Sequence, residues 1–223
     1  MSYNDPGMSP SIDAMDTLIA SGPRVVSSAA PLDFPIDRDA RLARFPPDAT
    51  LKGMFFSRLL DLGGRHVEAE RPRLTKPPRT GHYLPFGDYP QVDFARLSFA
   101  AATGLYPGVP LAEGQRRLAR HDFATFAASA VGRVSLAMMG DAESALLRLP
   151  SAYAAVLRGG TLDARRVEPE VVEIVFRNFF GSVDCYPIGT VEGVAAYFGR
   201  SCDVVALISA PGDATYRVTL RRA

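Results

Sequence analysis

Cys185 is the residue whose type and position could do chemistry most directly. It follows Asp184 and precedes Tyr186-Pro187, where a helix opens, and a helix N-terminus lowers a thiol pKa. A thiolate there could attack an electrophile or carry a lipid. Nucleophilic catalysis also needs a base within reach, and the sequence names none. Free cysteine is among the most buried residue types. A packed, inert Cys185 is therefore the expectation, with a small cysteine-dependent enzyme as the alternative. Cys202, at a helix-to-strand corner, is expected to pack.

Around this thiol lie residues that suit binding better than catalysis. Gly189 and Gly193 are four apart on one helix face, a spacing that admits close approach of a strand, a partner helix or a ligand. Phe179, Phe180 and Tyr186 precede them and could line a pocket or fill the core. Glu192 and Arg133 are the polar candidates for orienting a guest. Gly132 sits beside Arg133 in a helical stretch, where glycine costs about 1 kcal/mol relative to alanine. That points to close helix packing there, with Arg133 facing an acidic ligand group or capping a nearby carbonyl. The candidate ligand-binding set is thus Phe180, Cys185, Tyr186, Gly189, Glu192, Gly193 and Arg133, with no catalytic residue.

Other chemistries leave no signature. His66, His82 and His121 stand apart, none with a second ligand at metal spacing on one helix face, and His-Glu-x-x-His is absent. No metal site and no cofactor are expected. The phosphate-binding loop Gly-x-x-x-x-Gly-Lys-Ser/Thr, the dinucleotide fingerprint Gly-x-Gly-x-x-Gly and the serine elbow Gly-x-Ser-x-Gly are also missing.

The elements that must position these residues follow from periodicity. Leu51, Met54, Phe55, Leu59 and Leu62 recur at helical spacing, and Gly63-Gly64 supplies a stop. Residues 65–86, with four prolines, read as a connector. Helices are expected over 88–103, 110–120, 122–139 and 141–149, with a further turn or two from Pro150 to Gly159-Gly160. The period then changes to alternation: 161–167 and 171–176 form one hairpin, 187–198 returns to helix, and 204–209 with 216–220 form a second hairpin. This predicts an α+β fold, a helical layer packed on a four-stranded antiparallel sheet, in the order helices, hairpin, helix, hairpin. Residues 1–35, rich in Ser, Pro, Asp and Gly, read as a mobile tail, with a docking strand as the alternative, since Val25-Val26 is too short to anchor an element alone. Residues 36–223 make a single domain.

Composition agrees. The chain has 223 residues, 47% of them hydrophobic and 22% charged, which is a globular balance. Twenty-five basic against twenty-four acidic residues leave a formal charge of +1, without the basic excess of a nucleic-acid binder. Two cysteines are too few for a disulfide scaffold. No signal peptide and no membrane span is expected, so the cytoplasm is the expected compartment.

Three stretches carry a family resemblance: Pro47-Asp48-Ala49-Thr50-Leu51-Lys52-Gly53-Met54-Phe55-Phe56, then Tyr106-Pro107-Gly108-Val109-Pro110-Leu111 with Gly132-Arg133, and Asp184-Cys185-Tyr186-Pro187-Ile188-Gly189-Thr190-Val191-Glu192-Gly193. From about residue 36 onward the chain resembles an uncharacterised family of paralogous proteins abundant in myxobacteria. More remotely, the second half is similar to vinyl-reductase-type small-molecule-binding domains and to subunits of vesicle-tethering complexes. That similarity implies an antiparallel sheet packed on helices, a homodimer or protein partner engaged through helices, and an apolar pocket for a hydrophobic small molecule or acyl chain. The cysteine cluster of some of those domains is missing after the last helix. The fold is also similar to haem-based gas sensors, but no Tyr-x-Ser-x-Arg segment is present, so haem is not expected. The expected function is a non-catalytic ligand-binding or protein-interaction domain of sensory or regulatory type.

Overall fold

The computed structural model describes residues 23–78 and 81–222. Its chain order is β1 (Arg24–Ser27), α1 (Arg38–Leu42), β2 (Thr50–Lys52), α2 (Gly53–Glu68), β3 (Asp88–Pro90), α3 (Gln91–Leu105), α4 (Leu111–Ala128), α5 (Ala130–Ala137), α6 (Ala142–Leu147), α7 (Leu149–Val156), β4 (Leu157–Arg158), β5 (Thr161–Glu168), β6 (Val171–Arg177), α8 (Tyr186–Tyr197), β7 (Arg200–Ala210) and β8 (Asp213–Arg222). The fold is α+β, as the change of period indicates. Five antiparallel strands run in the order β1-β7-β8-β6-β5, and β3-β2-β4 make a second, three-stranded sheet.

The fifth strand of the main sheet adds to the four expected from the two hairpins and is the docking strand that the N-terminal stretch leaves room for. Residues 24–27 fall in the stretch read as a tail, yet they pair with β7, Val25 opposite Leu207 and Val26 opposite Ala206. Backbone pairing to an open edge holds a segment too short to form a strand alone. The rest of the expected tail, residues 1–22, lies outside the described residues. Departures from expectation are local. Leu51 belongs to a strand, and α2 continues past Gly63 to Glu68 across a kink at Gly64, whose φ of 47° is left-handed. The expected break at 120–122 does not occur, so α4 runs on to Ala128. The helix restarts at Ser129, whose hydroxyl accepts from the Gly132 N–H.

Alternation along the strands builds the core. Val172, Ile174 and Phe176 of β6, Tyr216 and Val218 of β8, and Val204 and Ala206 of β7 are all buried on one sheet face. Helix α8 lies on that face through Ile188, Val191, Val194 and Ala195. A second core joins α2 and α3 through Phe56, Leu59 and Leu97.

Helix α8 is also pressed against α4, and its glycines make that possible. A Cβ on Gly189 would fall 1.9 Å from the Arg116 carbonyl oxygen, and one on Gly193 would fall 3.0 Å from the Arg120 carbonyl oxygen. One charged cluster fastens the same crossing, and a second ties α1 and β1 to the loop before α8. Glu192 of α8 accepts from Arg116 Nε (3.0 and 3.1 Å) and from Arg120 Nε (2.7 Å). Arg116 also donates to the carbonyls of Ser28 (2.7 Å) and Ala30 (3.0 Å), so it ties the segment after β1 to the helices. Asp184 takes both guanidinium nitrogens of Arg41 at 2.7 Å, with Arg24 paired to it as well.

Substitution at the crossing should be unequal. Gly189→Ala meets rigid backbone and should lower stability by about 1–3 kcal/mol, or roughly 2–4 °C of melting temperature per kcal/mol in a chain of this size. Gly193→Ala, at 3.0 Å, should cost less. Equal melting of Gly189→Ala and wild type in a thermal scan would contradict this account.

Candidate functional site

Between the helices and the small sheet lies a cavity of about 140 Å³. Its walls come from helices α2, α3, α4, α7 and α8, strands β2 and β4, and the loops before β2 and α8. Helix α3 contributes Phe94, Ala95, Ser98 and Phe99; α4 contributes Gln115, Asp122, Phe123 and Phe126; α7 contributes Leu149, Ala152, Tyr153 and Val156. Leu51, Phe55 and Phe45 close one side, and Ser182, Tyr186, Pro187 and Thr190 another. Tyr186, in the first turn of α8, stands edge-on to Phe94 with ring centroids 5.8 Å apart. An apolar cavity of this size is comparable with engineered ones of ~150 Å³ that take up benzene or xenon.

Polar groups interrupt the wall at a few points. Gln91 is fully engaged, since its Nε2 donates to Arg158 O (2.6 Å) and Thr50 O (3.3 Å) and joins β2 to β4. Gln115 is different: its Oε1 accepts from Ser98 Oγ at 3.3 Å, but its Nε2 has no partner. Neither carboxylate oxygen of Asp122 has a hydrogen-bond partner among the described residues. Arg58 Nε of α2 lies 3.9 Å from Asp122 Oδ1, an ion pair without a hydrogen bond. Burial therefore pushes the Asp122 carboxyl up to about 7, against the opposing pull of Arg58. Burial likewise raises the Tyr153 phenol to about 12, so it stays protonated at neutral pH.

The structure distributes the sequence-derived candidates unevenly. Tyr186 lines the cavity. Phe180 does not; it stacks obliquely near Phe45, centroids 6.4 Å apart, while its neighbour Phe179 takes the lining position. Gly189, Gly193 and Glu192 serve the α4–α8 crossing. Arg133 is exposed and donates from Nη1 to the Ala128 carbonyl (3.1 Å), so it caps the end of α4 instead of facing the cavity. Cys185 is fully buried, and burial beside Asp184 holds its thiol well above the usual range. The helix N-terminus behind it does not overcome that desolvation. Two residues escaped the sequence reading, Gln115 and Asp122. Their signal was a polar residue recurring on the apolar face of α4 that also carries Phe123 and Phe126.

Comparison with solved structures places the fold among the H-NOX proteins. An Fe(II) unliganded H-NOX protein from K. algicida is 14% identical, with TM-score 0.60, covering 78% of this chain and 98% of that one. One from S. oneidensis in the Fe(II)NO ligation state is 12% identical, with TM-score 0.61, covering 77% and 100%. An oxygen-binding H-NOX domain related to soluble guanylate cyclases is 17% identical, with TM-score 0.57, covering 76% and 91%. These neighbours correct the expected kinship with vinyl-reductase-type and vesicle-tethering domains. Helices, hairpin, helix, hairpin is the only order the residues reveal, and it does not separate those folds. The chain belongs to the DUF2378 family, proteins of unknown function, which it matches over residues 44–219. No curated protein matches it in sequence.

Haem distortion has been probed in the H-NOX family, and this cavity does not suit haem. A space of benzene scale is far too small for a tetrapyrrole. His66, His82 and His121 are all exposed and outside the cavity wall, and Cys185 and Cys202 also lie outside it. The two tyrosines of the wall include Tyr153, whose phenol burial keeps protonated. Among the described residues no three His, Cys, Asp or Glu side chains cluster to hold a metal ion, and no helix is long and apolar enough to cross a membrane.

Two measurements check this description. Cys185 should react slowly with thiol reagents in the native state and quickly in denaturant; native labelling faster than a free cysteine would contradict its burial. Asp122, near 3.8 unfolded and about 7 folded, keeps a proton in the fold that the unfolded chain releases. Its contribution to stability is therefore best below pH ~4 and declines as pH rises to about 7, by roughly 1.4 kcal/mol per unit. Denaturant melts of wild type and Asp122→Asn should thus diverge over that range, the variant being the more stable at pH 8.

Proposed function

We propose that this protein is a non-catalytic ligand-binding domain of sensory or regulatory type, and that its ligand occupies the cavity between α3, α4, α7 and the start of α8. The observation that carries this reading is the cavity itself. Interiors pack to crystal-like density, and 140 Å³ lined by seven phenylalanine and tyrosine rings of facing helices exceeds ordinary packing defects. The H-NOX fold supports it, since a relative was solved as its oxygen complex. The volume suits a compact guest better than an extended acyl chain. The buried, high-pKa thiol of Cys185 offers nothing to the enzymatic alternative.

The same reading makes the protein a homodimer in the cytoplasm. Val134 of α5 and Met138 just after it, 67% and 65% exposed, are the apolar residues it would cover.

Occupancy stabilises the folded state by RT ln(1 + [L]/Kd), about 2.7 kcal/mol at a hundredfold excess over Kd. Indole, as a compact aromatic probe, should therefore raise the melting temperature by several degrees. Ala152→Phe, which fills the cavity, should abolish that shift while the variant remains folded. No shift with indole, benzene or xenon in wild type would refute the proposal.

A further inference from the structure

The polar groups of the cavity wall define the chemistry of the guest, provided the cavity is a ligand site as proposed. Gln115 and Asp122 are seven residues apart on α4, two turns on the same face, so they stand about 10 Å apart along the helix. Aromatic rings of Phe94, Phe123 and Tyr186 line the same cavity. Asp122 is 7% exposed and Gln115 1%. Both present unpartnered polar atoms: two carboxylate oxygens at one end, an amide Nε2 at the other.

These orphans differ in sign. An ionised carboxylate only accepts, and it has room for several donors. Arg58 Nε stands 3.9 Å away, beyond hydrogen-bond reach, and is itself unpartnered among the described residues. Arg58 is not part of the cavity wall. A buried acceptor left open in this way is satisfied best by a group with several N–H bonds and positive charge. Aromatic faces around a cation add attraction of the same sign. A carboxylate guest would meet Asp122 with like charge, and a pure hydrocarbon would leave both oxygens unpaired.

The geometry points to a compact arylalkylamine as the ligand class, its ammonium on Asp122 and its ring among the cavity aromatics. The amide of Gln115 then faces the far end of the guest, where it donates to a ring substituent with a lone pair, such as a hydroxyl.

Calorimetric titration at pH 8 with phenethylamine, propylbenzene and 3-phenylpropionate tests this assignment. Phenethylamine should bind wild type about tenfold more tightly or better than propylbenzene, the scale of one charge-assisted hydrogen bond, and 3-phenylpropionate most weakly. Asp122→Asn should bring phenethylamine to the level of propylbenzene and leave propylbenzene unchanged. The double variant Asp122→Asn with Arg58→Gln, which removes the abandoned guanidinium, should behave the same way if the single variant folds poorly. Equal binding of amine and hydrocarbon by wild type, or an amine preference that survives both variants, overturns the amine assignment and leaves the cavity as a site for apolar guests. Binding of none of the three overturns the assignment together with the ligand-site reading beneath it.

Discussion

The α8 backbone rests on the carbonyl of Arg116 because Gly189 has no side chain to hold it off. That contact sets the distance between α4 and α8, and much else follows from it. Across this contact the side chain of Arg116 reaches to Glu192 and onward to the carbonyls of Ser28 and Ala30. One residue thus meets the glycine with its main chain and the carboxylate with its guanidinium. Arg116 and Glu192 are both nearly buried, 7% and 11% exposed at the side chain. Removing one partner of such a pair strands the other's charge, which typically costs ~3–5 kcal/mol.

The cavity is the other side of that constraint. With α8 drawn onto α4 near Gly189 and Gly193, its first turn carries Tyr186 and Pro187 to the open end of the space between α3 and α7. The aromatic side chains there are too large to interdigitate without a gap, and the gap faces the one stretch of α4 where polar residues interrupt the apolar face. Asp122 is expensive to hold in that position. A folded protein that keeps a carboxyl at about 7 has given up stability at neutral pH, the familiar mark of a residue kept for something other than folding.

Much of this was legible in the residues. The switch from helical to alternating period at Thr161 located both hairpins and α8, because a two-residue repeat and a 3.6-residue repeat cannot be mistaken over seven or more positions. Gly189 and Gly193 announced a close approach. What the residues leave open or hide are features set by long-range pairing. Arg24–Ser27 has no amphipathic pattern of its own and becomes a strand only because β7 offers unpaired backbone. The α4–α5 break lies at Ser129, where a cap decides and the apolar stripe does not. The aromatic run before α8 was read as a unit, yet Phe179 faces the cavity and Phe180 does not, since neighbouring residues in an extended loop point opposite ways. Asp122 and Gln115 were hidden because a polar residue on an apolar face reads as solvated until its neighbours are known.

The main sheet protects its two edges by different means. At β5 the outer strand carries Asp163, Arg165, Arg166 and Glu168 and breaks register between Arg166 and Glu168, charge and irregularity that discourage a further strand. At the opposite side β7 runs eleven residues, with Val205 and Leu207 more than 40% exposed and its charges, Arg200 and Asp203, confined to its first part. Among the described residues the four of β1 pair along it, with Ser28 bonded to Val204 at their end. Cleavage just after Ser27 would uncover a long apolar template for strand addition, so proteolysis there would convert a well-behaved domain into one prone to edge-to-edge aggregation.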